Sequence, residues 1–328
     1  MGTAVPPTKY TTRRQTPTGF SLFRRTALGS ATEPGPLQLT KGTGLWVDSW
    51  RRLKKNRPAM AGLAFIIILV VVALTAPLLA PASPYAQELD HRLAPPGTPR
   101  ADGQGVYILG ADHMGRDILS RIIYGSRISL AVGLVSEFIV SVIGITLGAI
   151  AGYYGGRVGN LIMRISDIMF AFPDLLFAIG IMFALGPSIF NVFIALGVVG
   201  WAGMARLVRS QVIALKEMDF VEAARAQGLS DWIIVTRHIL PNCLGPIIVS
   251  ISLGIPGAIM GEAGLSFLGL GAQPPLASWG SMIYDARPYF TTDPLFSVFP
   301  GIAIMLTVFA FNLFGDGLRD ALDPRLKS

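Results

Sequence analysis

From Ala59 to Ala80 the chain carries no charged side chain, and its centre reads Phe65-Ile66-Ile67-Ile68-Leu69-Val70-Val71-Val72. A helix of about 20 apolar residues crosses a hydrocarbon layer about 30 Å thick, where every backbone polar group must be bonded internally. Comparable runs lie at about Ser129–Gly152, Ile168–Leu185, Ile189–Leu207, Gly245–Leu270 and Phe296–Phe314. These runs in a chain of 328 residues predict an all-α integral membrane protein with six transmembrane helices. Composition agrees, since 14% of residues are charged where a soluble domain carries about a quarter. A water-soluble globule is excluded. The single cysteine, Cys243, excludes a disulfide within the chain and any cysteine-based metal cluster.

An even number of spans puts both termini on one side of the membrane. Sorting the 27 Lys and Arg by the segments they occupy gives 21 on the side of the termini and 6 on the other. The positive-inside rule then assigns both termini to the cytoplasm and residues 81–128 to an external loop. The net charge of +7 is therefore a topology signal, and nucleic acid is not the expected partner. Residues 1–44, rich in Thr, Pro, Gly and Ser, read as a disordered tail. Its pairs Arg13-Arg14 and Arg24-Arg25 precede no nearby apolar run, so they do not form an export signal. Residues 45–58 hold the cluster Trp50-Arg51-Arg52-Leu53-Lys54-Lys55-Asn56-Arg57. That pattern predicts an interfacial segment, with cations at lipid headgroups and Trp46 and Trp50 as anchors.

Within the spans, glycines recur at 144, 148 and 152, and again at 257 and 261, the spacing at which small residues let helices approach closely. Helix packing is the plain reading; glycine-rich helices that line a pathway and slide on a partner are the sharper one. Pro256 is expected to kink the fifth span. Three carboxylates fall in or beside spans. Asp174 follows Pro173 and reads as the cap of a restarted helix. Glu137 and Glu262 lie deeper and mark a candidate substrate pathway, or else are neutral and hydrogen-bonded between helices.

The loop between the fourth and fifth spans, residues 215–242, is the most informative part of the chain. Asp219, followed three residues later by Glu222, has the form of an N-cap with a capping-box acid. Gly228 suits a left-handed C-cap, Ser230 starts a second helix, and Pro241 stops it. The loop thus reads as helix, tight turn and helix outside the membrane. Phe220, Val221, Leu229 and Trp232 give it apolar surface that needs a partner.

Glu222-Ala223-Ala224, then Gly228, then Ile239-Leu240-Pro241, resembles the EAA motif of permease subunits of ATP-binding-cassette importers. The similarity extends from about Trp50 to Leu326 and is specific to the dipeptide, oligopeptide and nickel branch. Leu109-Gly110-Ala111-Asp112-His113-Met114-Gly115-Arg116-Asp117, with Ser120-Arg121, resembles the external segment before that branch's second span. Leu265-Ser266-Phe267-Leu268-Gly269-Leu270-Gly271, with Pro274-Pro275 and Ser278-Trp279-Gly280, resembles the end of its fifth. Phe311-Asn312-Leu313-Phe314-Gly315-Asp316, with Asp323-Pro324-Arg325, resembles its C-terminus, residues 315–328 being cytoplasmic. The basic segment and first span look like the C-type subunit of the permease pair. Asn160 departs from the pattern, which has an acid there.

The resemblance implies a type I importer permease (MetI-like) fold in a prokaryotic plasma membrane, and an ATPase-coupling role for Phe220, Val221, Glu222, Ala223, Ala224, Gly228, Leu229, Leu240 and Pro241. It implies an external role for Asp112, Arg116, Asp117 and Arg121. The implied partners are a second permease of B type, two cytoplasmic ATPase domains that carry ATP and magnesium, an extracytoplasmic peptide-binding protein, and lipid.

The chain itself has no Gly-x-x-x-x-Gly-Lys-Ser/Thr loop, so ATP chemistry is expected in another polypeptide and no cofactor here. His91, His113 and His238 lack metal-ligand spacing, and no nucleophile elbow is present. Nickel or another small solute remains a substrate alternative, and a standalone channel or ion-coupled carrier is the alternative of a different class. The latter predicts an inverted repeat of broken helices.

Overall fold

The computed structural model describes residues 45–103 and 105–323. The tail 1–44 with its arginine pairs, residues 324–328 with Arg325, and the side chain of Trp46 lie outside the described residues. The rest is helical apart from the connecting segments. Helix α1 spans Leu45–Lys55, α2 Arg57–Leu74 and α3 Ala76–Leu79; after a long connection come α4 (Ile118–Tyr154), α5 (Gly156–Ala171), α6 (Asp174–Leu185) and α7 (Ile189–Lys216). Then follow α8 (Asp219–Ala226), α9 (Asp231–Ile233), α10 (Leu240–Phe267), α11 (Trp279–Ala286) and α12 (Leu295–Leu322).

Among the described residues, five helices or helix runs are long and apolar enough to span a membrane, and a sixth span exists if α5 and α6 count as one. They are not one straight rod. The two helices meet at 94°, so the span expected over Ile168–Leu185 is corrected: Ile168–Ala171 belong to α5. Pro173 is the cause, because its ring forces the preceding residue out of helical geometry, and Phe172 is extended at φ −102° and ψ 140°. At about 1.5 Å per residue, the 12 residues of α6 reach about 18 Å, short of the ~30 Å hydrocarbon layer.

The other spans outrun their apolar windows. Helix α4 has 37 residues, and α7 and α12 have 28 each. Charged residues such as Arg121, Arg209 and Arg319 end the apolar run without ending the helix.

Helices α4 and α7 make the most extensive pairing in the molecule. The glycine row at 144, 148 and 152 is the reason. A Cβ on Gly148 would lie 2.6 Å from the Ala205 carbonyl oxygen, and one on Gly152 2.8 Å from Val212 Cβ. Those glycines are a packing face. The second row behaves differently: a Cβ on Gly261 would meet Leu196 at 2.8 Å, but one on Gly257 would meet nothing within 4 Å.

The contacts sort the elements into two ends of the bundle. At one end α1 packs on the last turns of α12, with Leu53 against Ala59 and Ala321 and Arg52 donating to the Asp323 carbonyl at 3.4 Å. Tyr153, at the end of α4, donates to Asp231 at 2.7 Å and so brings α8 and α9 to the same end. At the other end Ile118, Met282 and Phe296 join the starts of α4 and α12 to α11. Both flanks of the span series, α1 and the end of α12, thus share the end that carries α8.

Candidate functional site

The segment 217–241 is built as a small bracket on the α7–α10 junction. Helix α8 begins at Asp219 with Met218 as its cap residue, and no side chain caps it. The expected N-cap role of Asp219 is therefore corrected: Asp219 is the first helical residue, where it and Glu222 favour the positive end of the helix dipole. The C-terminus behaves as expected. Gly228 has φ +77°, its N–H donates to the Arg225 carbonyl at 2.9 Å, and the Leu229 N–H donates to Ala224 at 3.3 Å. This is the glycine-ended helix stop in which the left-handed residue costs nothing.

The helix has two faces. Val221 and Ala224, three residues apart, are buried with Val208, Val212, Ile234 and Ile239. Leu229 and Leu240 pack partly against the same cluster. Phe220, Glu222, Ala223 and Gly228 face outward, together with Met218 and Trp232, which is 75% exposed. The sequence grouped Val221 with the surface residues; the structure puts it in the core instead. Among the described residues no partner reaches Glu222.

Pro241 does not end the second helix. Residues Asp231–Phe267 run as one helix, with a π-helical stretch at Ile234–Ile239 immediately before Pro241. The Leu240 N–H reaches back to Val235, a widened turn that makes room for a ring which would otherwise clash with the carbonyl four residues earlier. The expected helix stop is thus replaced by a continuous shaft. That shaft begins just after the Gly228 turn and carries Gly254, Gly257 and Glu262.

At the opposite end, the predicted quartet separates by task. Asp117 caps α4, accepting from the Ser120 N–H at 2.7 Å. Asp112 is fully buried and accepts from Arg116 Nε at 2.6 Å, with Arg121 Nε at 3.4 Å. Asp285 on α11 completes the cluster at 3.3 Å from Arg116 and 3.6 Å from Arg121. Two cations and two anions leave the buried group neutral, as burial requires. Sequence reasoning missed Asp285. With Asp112 and Asp117 already balancing the two arginines, no charge surplus pointed to it. His113 stacks near Tyr289 and Phe296 at 6.1 Å. Burial lowers its pKa below the usual imidazole value, against the opposing pull of Asp112 and Asp285.

The two deep carboxylates are not brought together. Glu262 is fully buried and accepts at Oε1 from Ser266 at 2.5 Å and Ser278 at 2.6 Å. Ser278 also caps α11, so Glu262 joins α10 to α11. Glu137 instead lines a cavity of about 410 Å³ between α4, α6, α7 and α10, whose wall also holds Asp174, Gly254 and Gly257.

A model of the family described as "Binding-protein-dependent transport system inner membrane component" matches residues 144–328, more than half of the chain. The chain belongs to that family. It is a permease component of importers of the ATP-binding-cassette type. A second model, the N-terminal transmembrane domain of oligopeptide transport permease C, matches residues 44–96. Among relatives, the chain is 45% identical to the dipeptide transport system permease protein DppC of Alkalihalophilus pseudofirmus, over 90% of this chain and 95% of that one. It is 45% identical to the glutathione transport system permease protein GsiD of Pectobacterium atrosepticum, over 86% and 92%. It is 44% identical to the DppC of Bacillus subtilis, over 85% and 86%. A solved structure of the MetNI methionine transporter in an inward-facing conformation shares the fold, with TM-score 0.52 at 20% identity, covering 63% of this chain and 98% of that one. The importer-family match holds α8 and three walls of the cavity. The α4 wall, with Ser136 and Glu137, lies between the two matched ranges.

Proposed function

We propose that the chain is the C-type permease subunit of an ATP-driven importer of dipeptides and short oligopeptides in a bacterial plasma membrane. It pairs with a second, B-type permease of similar fold, two ATPase domains that hold ATP and magnesium, and an extracytoplasmic peptide-binding protein. Relatives at 44–45% identity named for dipeptide and glutathione transport support the peptide substrate. The 21-to-6 split of Lys and Arg supports a cytoplasmic position for α1, α8 and the end of α12.

The observation that carries the reading is α8. An eight-residue helix offers Phe220 outward, flanked by exposed Met218 and Trp232, while Val221 and Ala224 anchor it inward, and the helix that follows the Gly228 turn runs unbroken from Asp231 to Phe267. A short helix held in this way moves as a body and transmits closure of the ATPases to the spans. Energy enters through this contact; Glu262 fixes the opposite end of α10 to α11. No bond of the substrate is made or broken by this chain.

The test is uptake by the complete complex in proteoliposomes. Labelled dipeptide is expected to accumulate only with ATP. Phe220→Ser, at an outward position, is expected to cut uptake about tenfold, a loss of contact energy of order 1.4 kcal/mol, with insertion of the chain unchanged. ATP-driven nickel uptake without peptide uptake, or peptide accumulation by this chain alone, would contradict the reading.

A further inference from the structure

The cavity contains one feature that packing does not account for. Glu137 sits in the middle of α4 and is 6% exposed, yet among the described residues no hydrogen bond or ion pair reaches its carboxylate. Buried carboxylates in a membrane protein are costly and are normally paired. Its neighbour Ser136 is fully buried, and its hydroxyl likewise finds no partner.

Room for the carboxylate is provided by the facing helix. A Cβ on Gly254 would run into both Glu137 carboxylate oxygens, so the glycine leaves room for the carboxylate against α10. Beyond them Gly257 and Gly203, both on the lining, face open room, with nothing within 4 Å of an added Cβ. Asp174 enters from the first turn of α6, and Ser250 from α10. The rest of the wall is apolar, including Val140, Leu175, Leu196 and Met204.

These residues make a site for a cation of a particular kind. Hard divalent metals take about six to eight oxygen ligands, more than the two carboxylates of Glu137 and Asp174 and the hydroxyls of Ser136 and Ser250 on this wall supply. A primary ammonium needs a carboxylate and one or two further acceptors, with apolar space beside it. The cavity volume falls in the range of sites for small organic ligands.

We propose that this cavity receives the amino terminus of the peptide in transit, with the Glu137 carboxylate as counter-ion to its ammonium group. The inference rests on the peptide reading above and deepens it. Dipeptides and glutathione differ in their side chains but share a free α-ammonium group. A carboxylate aimed at that group serves all of them, while apolar walls tolerate the variable remainder.

The experiment uses the complete complex in proteoliposomes. Glu137→Gln keeps the shape and removes the charge, and is expected to lower the maximal rate of dipeptide uptake about tenfold, with Glu137→Asp intermediate and both variants assembling in wild-type amount. Glu137→Cys in a Cys243→Ala background adds a second readout, labelling by 2-aminoethyl methanethiosulfonate. A free dipeptide at saturating concentration is expected to slow that labelling at least fivefold, an occupancy effect, and potassium chloride at the same concentration is not.

Wild-type uptake by Glu137→Gln overturns the inference. So does labelling that peptide does not slow, or that salt slows equally, which would assign the site to a small inorganic cation. If the wild-type complex takes up no peptide at all, it is the peptide reading itself that fails.

Discussion

Single side chains carry two separate jobs in this chain, and the difference lies in what surrounds them. Glu262 and Glu137 look alike in sequence, each an isolated acid in an apolar run. In space one is bonded to two serines, while among the described residues nothing bonds to the other. For Glu262 the hydroxyl donors both reach Oε1, and an amide oxygen accepts in the same way. Glu262→Gln keeps both hydroxyl bonds but puts its amide NH2 at the Oε2 position, where no partner lies among the described residues; it is expected to destabilise less than Glu262→Leu, which strands two buried hydroxyls at roughly 1–3 kcal/mol each. Thermal unfolding of the detergent-purified complex distinguishes the two variants.

His113 supplies a pH dependence. Burial holds its folded-state pKa below the unfolded value of about 6.5. The unfolded chain thus binds the proton more readily, so stability present above pH ~6.5 falls as pH drops toward the folded value. His113→Phe keeps the ring beside Tyr289 and Phe296 and is expected to flatten that acid slope in unfolding midpoints measured across pH. At this scale the motif residues were legible. Asp112, Arg116 and Arg121 could be named from their segment, but Asp285 could not, because pairing across 164 or more positions leaves no local trace.

Helices were legible as elements wherever hydrophobic length decided the matter. They were misjudged wherever proline chemistry did. The apolar run read as one span across Pro173, whereas Pro241 read as a helix stop. The first breaks a span into two pieces at 94°, since nothing around Phe172 restores helical geometry. The second lies inside a continuous helix, because a π-helical stretch absorbs it. A single sequence does not say whether neighbours will widen a turn.

Glycine rows carry the same lesson. One row is a packing face and the other opens on a cavity, though the spacing is the same. The contrast makes an expectation at this scale. Gly148→Ala pushes a methyl to within 2.6 Å of the Ala205 carbonyl and is expected to cost about 1–3 kcal/mol through overpacking of α4 on α7. Gly257→Ala meets nothing within 4 Å and is expected to be neutral or stabilising by up to about 1 kcal/mol in fold stability. Chemical or thermal denaturation of the two variants side by side checks the ordering.

Across the whole molecule, α8 sits at the end that holds both α1 and the last turns of α12, and the buried charge cluster sits at the other. That division agrees with an even number of spans, which the hydrophobic runs already required. The sequence could not disclose that the helix after the Gly228 turn is one unbroken shaft from Asp231 to Phe267, since that depends on how Pro241 is accommodated. In the proposed coupling this shaft is the lever, and the turn at Gly228 is what seats α8 on it.

The most direct test of the lever is ATP-driven dipeptide uptake by complexes assembled with Gly228→Pro. Proline holds φ near −65° where the native residue has +77°, and it removes the N–H bonded to the Arg225 carbonyl. The turn that seats α8 then cannot form. The expected result is uptake reduced at least about tenfold in complexes that still contain all their subunits. Full uptake by such assembled complexes would contradict the account.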